Sequence, residues 1–219
     1  MNRVPTMKTP AVQSRLPHVG PTIFSTMSAL AAQHNAVNLG QGFPDFDCDP
    51  ALVNAVTRAM QRGLNQYPPM AGVAPLREAI AAKIASLYGA SYDASDEITV
   101  TAGATQALLT VLLCCVHPGD EVIVIEPAFD SYAPAIELAG GVPVFVQMQL
   151  GENGYEVPWP AVRAAVTGKT RLIMINSPHN PTGSILRESD LLALTDIVQD
   201  SDILILSDEV YEHMVYDGA

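Results

Sequence analysis

Two apolar runs, each ending in a polar segment, constrain the fold more than any other feature of the chain. Arg171-Leu172-Ile173-Met174-Ile175 runs into Asn176-Ser177-Pro178-His179-Asn180-Pro181-Thr182-Gly183, and Ile203-Leu204-Ile205-Leu206 runs into Ser207-Asp208-Glu209-Val210-Tyr211. Short bulky runs bounded by polar turns are the pattern of strands covered on both faces, as in a parallel sheet. Open α/β sheets bind ligands at the carboxyl ends of such strands. Asn180, Asp208 and Tyr211 are therefore expected to converge on one small molecule.

The rest of the chain supports the same architecture. Strands are predicted at Val37–Leu39, 98–101, 121–125, 142–146, 172–175 and 203–206. Helices are predicted from Pro50 to about Arg62 with Asp49 as N-cap, over 74–88, from the Gly103 turn through Val116, up to about Ala139, over 159–166 and over 188–198. Strands alternating with helices indicate a mostly parallel, doubly wound α/β sheet. The first residues carry Arg3, Lys8 and Arg15 with no acid before Asp45, and lack the apolar core of a secretory signal; they read as an extended N-terminal arm.

Composition removes several function classes. With 48% hydrophobic residues the chain can build a core, and its formal net charge of -12 argues against nucleic acid, whose phosphates call for Lys and Arg. No apolar run reaches membrane-span length, so no membrane partner is expected. Cys48, Cys114 and Cys115 form no disulfide or metal pattern; the adjacent pair, inside an apolar helix, is expected to be buried, and a reducing cytoplasm fits.

Several segments carry chemistry. Gly103-Ala104-Thr105-Gln106 lies between a predicted strand and a helix, where small residues and free helix N–H groups can seat a phosphate; the same turn also serves packing alone. Asp208 ends an apolar strand, so its carboxylate needs a donor or cation; it can hold a ring nitrogen protonated, or merely cap a helix. Tyr211 can place a hydroxyl beside the same ligand or pack on the sheet. Asn180, fixed between Pro178 and Pro181, can be a positioned donor or a turn former. Phe129 can stack on a planar ring or fill the core. His179 has no second His or Cys nearby and reads as a loop histidine. The glycine turn lacks both Gly-x-Gly-x-x-Gly and the Lys-Ser/Thr of a P-loop, which disfavours an unrelated nucleotide-binding domain.

Taken in order, these segments resemble the N-terminal part of a fold-type I, pyridoxal-phosphate-dependent aminotransferase of class I/II. Leu39-Gly40-Gln41-Gly42-Phe43-Pro44-Asp45-Phe46 is similar to the methionine and kynurenine (glutamine-type) subgroup. The resemblance implies an arm and the start of a small domain over residues 1–43, and the cofactor-binding large domain, incomplete, over 44–219. It implies that Gly103, Ala104 and Thr105 bind the phosphate of pyridoxal 5'-phosphate with Gln106 close by, and that Phe129 stacks on the ring. Asn180 and Tyr211 would bond the phenolic oxygen, and Asp208 the ring nitrogen. Tyr67 would reach the phosphate of a neighbouring subunit in a homodimer. Gly40 and Gln41 would lie near the substrate carboxylate, with Asn180 shared by cofactor and substrate and Tyr132 at the border.

The implied reaction is a ping-pong transfer of an amino group between an amino acid and a 2-oxo acid; a cysteine-conjugate C–S β-lyase uses the same early motifs. The family's Schiff-base lysine would come a few tens of residues after Asp208. The lysines here are Lys8, Lys83 and Lys169, none in that context, so no catalytic residue is assigned. The chain is accordingly expected to be truncated and inactive alone; a non-catalytic cofactor-binding or dimerisation remnant is the alternative. The family's next strands insert between those at Ile203 and Ile98, so the phosphate seat is expected to stand apart from Asp208, beside long apolar edges.

Overall fold

The computed structural model describes residues 12–42, 44, 46–152 and 154–216. In chain order the elements are α1 (Ile23–His34), α2 (Pro50–Gln61), α3 (Ala74–Tyr88), α4 (Ala104–Cys115), β1 (Glu121–Glu126), α5 (Tyr132–Ala139), β2 (Val142–Gln147), β3 (Gln149–Gly151), β4 (Gly154–Glu156), α6 (Trp159–Ala165), β5 (Thr170–Asn176), α7 (Glu188–Val198) and β6 (Leu204–Asp208). They form two compact units: Pro21–Gly103, and the remainder on either side of it.

The larger unit is built on a four-stranded parallel sheet in the order β2-β1-β5-β6. Alternate side chains of a strand point to opposite faces, and both faces of β1 and β5 are apolar. Val122, Val124, Leu172 and Met174 point to one face and meet Leu108 and Leu112 of α4 and Ala135 and Ile136 of α5. Ile123, Ile125, Ile173 and Ile175 point to the other and meet Val162 of α6 and Leu194 of α7. The result is the expected doubly wound α/β arrangement. From β1 the chain steps to β2 on one side, then returns to β5 on the other, so the strand order reverses at the β1/β5 boundary, where such sheets form ligand crevices.

Polar contacts fasten the outer layer. Trp159 Nε1 of α6 donates to Asp190 Oδ1 of α7 at 2.8 Å, while Asp190 Oδ2 accepts from the Arg187 amide at 2.8 Å and caps that helix. Arg163 pairs with Asp196 between the same helices. Of the N-terminal segment, Arg15 donates to the Leu138 carbonyl at 3.1 Å and His18 meets Glu137 at 2.9 Å, both at the last turn of α5.

The smaller unit holds α1, α2 and α3. Asp49 caps α2 as expected, its Oδ1 accepting from the Ala51 amide at 2.7 Å. Arg77 gathers three carbonyls, those of Gly72, Ala94 and Ser95, at 3.2, 2.5 and 3.0 Å. Gly72 has φ 100°, and a Cβ there would lie 2.7 Å from Val100, so only glycine fits. No helix among the described residues is long and apolar enough to cross a membrane.

One helix was not expected, and four expectations are corrected. The N-terminal region contains α1, capped by Thr22, whose side chain accepts from the Ser25 amide at 3.2 Å. Val37–Leu39 forms no strand: Asn38 folds the chain locally, accepting from the Gly40 amide at 3.0 Å and donating to Ser28 at 3.0 Å. Phe43 and Asp45 lie outside the described residues. Residues 98–101 form no strand either, because the Val100 amide bonds the Ala71 carbonyl at 3.0 Å instead of a ladder partner. Cys114 is exposed and Cys115 half-buried, since the inward face of α4 follows Leu108 and Leu112 at i, i+4 and turns Cys114 away. β6 is not covered on both faces: it has one ladder neighbour, and Leu204 is 38% and Ile205 44% exposed.

The contrast between β5 and β6 is measurable. Ile173→Ala is expected to lower unfolding stability by about 2–5 kcal/mol, and Leu204→Ala by less than about 1 kcal/mol. Urea titrations followed by far-ultraviolet circular dichroism check the pair; equal losses would contradict the packing described.

Candidate active site

The carboxyl ends of β5 and β6 are locked together by one buried amide. Asn176, the last residue of β5, stands opposite Asp208, the last residue of β6. Its Nδ2 donates to the Asp208 carbonyl at 2.7 Å, and its Oδ1 accepts from the Asn180 amide at 2.7 Å. The loop beyond is tied within itself. The His179 amide donates to the Ser184 carbonyl at 2.8 Å, the Gly183 amide donates to the His179 carbonyl at 2.7 Å, and the Leu186 amide donates to Ser177 Oγ at 3.0 Å. Its imidazole Nδ1 lies 2.9 Å from Thr182 Oγ1, and burial lowers its pKa and favours the neutral ring. His179 is thus a loop residue, as the sequence suggested, and it is buried.

Asp208 is 8% exposed and both of its carboxylate oxygens are engaged. Oδ2 accepts from the Tyr132 hydroxyl at 2.6 Å, and Oδ1 from the Val210 amide at 3.2 Å. Tyr132 opens α5, is 5% exposed, and meets the edge of Phe129 with ring centroids 5.8 Å apart. Burial, then the bond to Asp208, push its phenol well above the ordinary value, so it stays a donor.

These groups line one cavity of about 130 Å³, with Ala104, Thr105, Phe129, Tyr132, Asn176, Asn180, Asp208 and Tyr211 in its wall. The first turn of α4, the end at which a helix's N–H groups lack intrahelical acceptors, supplies Ala104 and Thr105 to its wall. The expected separation of the phosphate seat from Asp208 is therefore corrected: α4 packs on the same sheet face as α5 and brings Ala104 and Thr105 to the Asp208 cavity. Gln106 is exposed on α4 and does not line the cavity. Gly103, with φ 85°, and Gly40, Gln41 and Tyr67 belong to the smaller unit, where Gly40 and Gln41 are exposed and Tyr67 fully so.

Sequence reasoning missed Asn176 and underrated Tyr132. The signal for Asn176 was an amide directly after four apolar strand residues, a place where a polar group is buried and must bond. Tyr132 gave no such signal, because its partner is 76 residues away.

The donor set fits a flat, phosphorylated aromatic ring. It offers an anionic acceptor at one end, an amide and a phenol at the side, an aromatic wall, and helix N–H groups for a phosphate. No group of His, Cys, Asp and Glu among the described residues could hold a metal ion.

Comparisons with known proteins agree with this chemistry. The chain is 48% identical to the methionine aminotransferase of Escherichia coli over 202 residues, which are 92% of this chain and 52% of that protein. It is 39% identical to human kynurenine--oxoglutarate transaminase 1, over 86% of this chain and 47% of that protein. The solved structure of N-succinyldiaminopimelate aminotransferase from Mycobacterium tuberculosis superposes with a TM-score of 0.91 at 46% identity, covering 95% of this chain and 54% of that one. The chain thus spans about half the length of the relatives it matches. The family model for aminotransferase class I and II matches residues 34–219, and the chain belongs to that family, whose members use pyridoxal 5'-phosphate.

Proposed function

We propose that the full-length protein transfers an amino group between an amino acid of methionine, glutamine or aromatic type and a 2-oxo acid, using pyridoxal 5'-phosphate held in the Asp208 cavity. The observation that carries this reading is the buried Asp208 carboxylate in one wall with Phe129, Asn180, Tyr211 and the first turn of α4. When bound, pyridoxal phosphate supplies an electron sink for breaking bonds at the amino acid's α-carbon.

The residues divide the work. Asp208 would accept a hydrogen bond from the protonated ring nitrogen, since an anion at that atom favours the proton there. Asn180 and Tyr211 would donate to the phenolic oxygen. Ala104 and Thr105, with Gly103 before them, would offer N–H groups to the phosphate at a helix end that already favours negative charge. Phe129 would supply an apolar face to the ring. Gly40 and Gln41 are assigned to the substrate carboxylate by their likeness to the family segment, with Asn180 shared. Tyr67 is fully exposed, which suits a residue that reaches the phosphate of a second subunit in a homodimer.

Among the described residues no lysine lines the cavity. We infer that residues 1–219 by themselves do not turn over, and that the covalent and proton-moving step belongs to the longer protein. Two measurements check these readings. Asp208→Asn in the full-length protein is expected to weaken pyridoxal phosphate binding about ten- to a hundredfold, and Tyr211→Phe by less than about tenfold, both read by equilibrium titration. Full-length protein mixed with methionine and a 2-oxo acid should yield the 4-methylthio-2-oxo acid, while residues 1–219 alone should yield none. Pyruvate release from a cysteine conjugate without any acceptor would instead indicate β-lyase chemistry.

A further inference from the structure

We propose that Tyr132 is a positioning residue: it acts through Asp208 to hold the carboxylate as an oriented anion for a ring nitrogen in the cavity. This rests on the cofactor reading above. Among the described residues the donors to the Asp208 carboxylate are the Tyr132 hydroxyl on Oδ2, at 2.6 Å, and the Val210 amide on Oδ1, at 3.2 Å. One donor on each oxygen stops rotation about the last side-chain bond. Each oxygen keeps acceptor capacity for a ligand in the cavity that Asp208 lines.

The two donors differ in kind. Val210 is 60% exposed and its bond is half-buried, whereas Tyr132 is 5% exposed, its bond is buried, and it packs in the core cluster with Leu108, Leu112 and Ile136. Its ring is fixed from the side by Phe129, at an interplanar angle of 78°. Burial, then the bond to Asp208, push its own ionisation upward, so Tyr132 stays the donor of this pair. The direction in which the carboxylate faces the ring nitrogen is therefore set by a side chain that itself need not touch the ring.

The test compares two ligands on full-length protein. Pyridoxamine 5'-phosphate needs no Schiff base, and its 1-deaza analogue carries C–H in place of the ring nitrogen. Tyr132→Phe keeps the packed ring and removes only the hydroxyl. The expected result is about tenfold weaker binding of pyridoxamine phosphate, with the deaza analogue unchanged. In an Asp208→Asn background the same substitution should change neither. If Tyr132→Phe weakens both ligands alike, or neither, Tyr132 is packing alone and the proposal is overturned. If the unsubstituted protein binds neither ligand, the cofactor reading falls first and takes this one with it. Should Tyr132→Phe fail to fold, Tyr132→Leu keeps an apolar side chain on the core side without a hydroxyl, and selective loss of the nitrogen-bearing ligand is again the expected result; equal loss of both overturns the proposal.

Discussion

The Asn176 side chain bonds in two directions, giving a hydrogen to the Asp208 carbonyl and taking one from the Asn180 amide. It is 8% exposed, so neither bond can be exchanged for water. Through them the end of β5, the end of β6 and the loop that carries Asn180 are held as one object. An open parallel sheet twists and splays at its strand ends, and a site assembled from three separate ends would otherwise depend on loop stiffness alone. Here the registration continues past the last ladder position, with the Ser177 amide still bonding the Asp208 carbonyl at 3.2 Å.

How much of this was legible in the sequence follows from what each signal depended on. β1 and β5 were readable because their apolar residues fill both faces, and α2, α3 and α7 because their spacing and end signals agree. Ile98–Thr101 failed as a strand because a β-ladder needs a neighbour, which a local pattern cannot report. β6 has the same apolar character as β5, yet its place in the strand order leaves Leu204 and Ile205 exposed. The β3–β4 hairpin passed unnoticed, although Glu152 and the following Asn153-Gly154 form a turn signal between its short strands.

The site was legible in identity and illegible in wiring. Asn180, Asp208 and Tyr211 stood out as polar residues after apolar strands, and they do share a cavity. That Ala104 and Thr105 reach the same cavity depends on α4 and α5 packing side by side on one sheet face, a tertiary fact. The Tyr132 bond is of the same kind. A tyrosine at the start of a helix is ordinary, and only the fold places a carboxylate opposite it.

Among the described residues Asp208 is thus an acid anchored by neutral groups, a phenol and a peptide amide, with no cation in its hydrogen-bond set. Coulombic partners at the surface behave otherwise. Arg163 and Asp196 are exposed enough for dissolved ions to screen them. Rising ionic strength therefore loosens the ion pair that fastens α6 to α7, while the geometry around the buried carboxylate stays as it was.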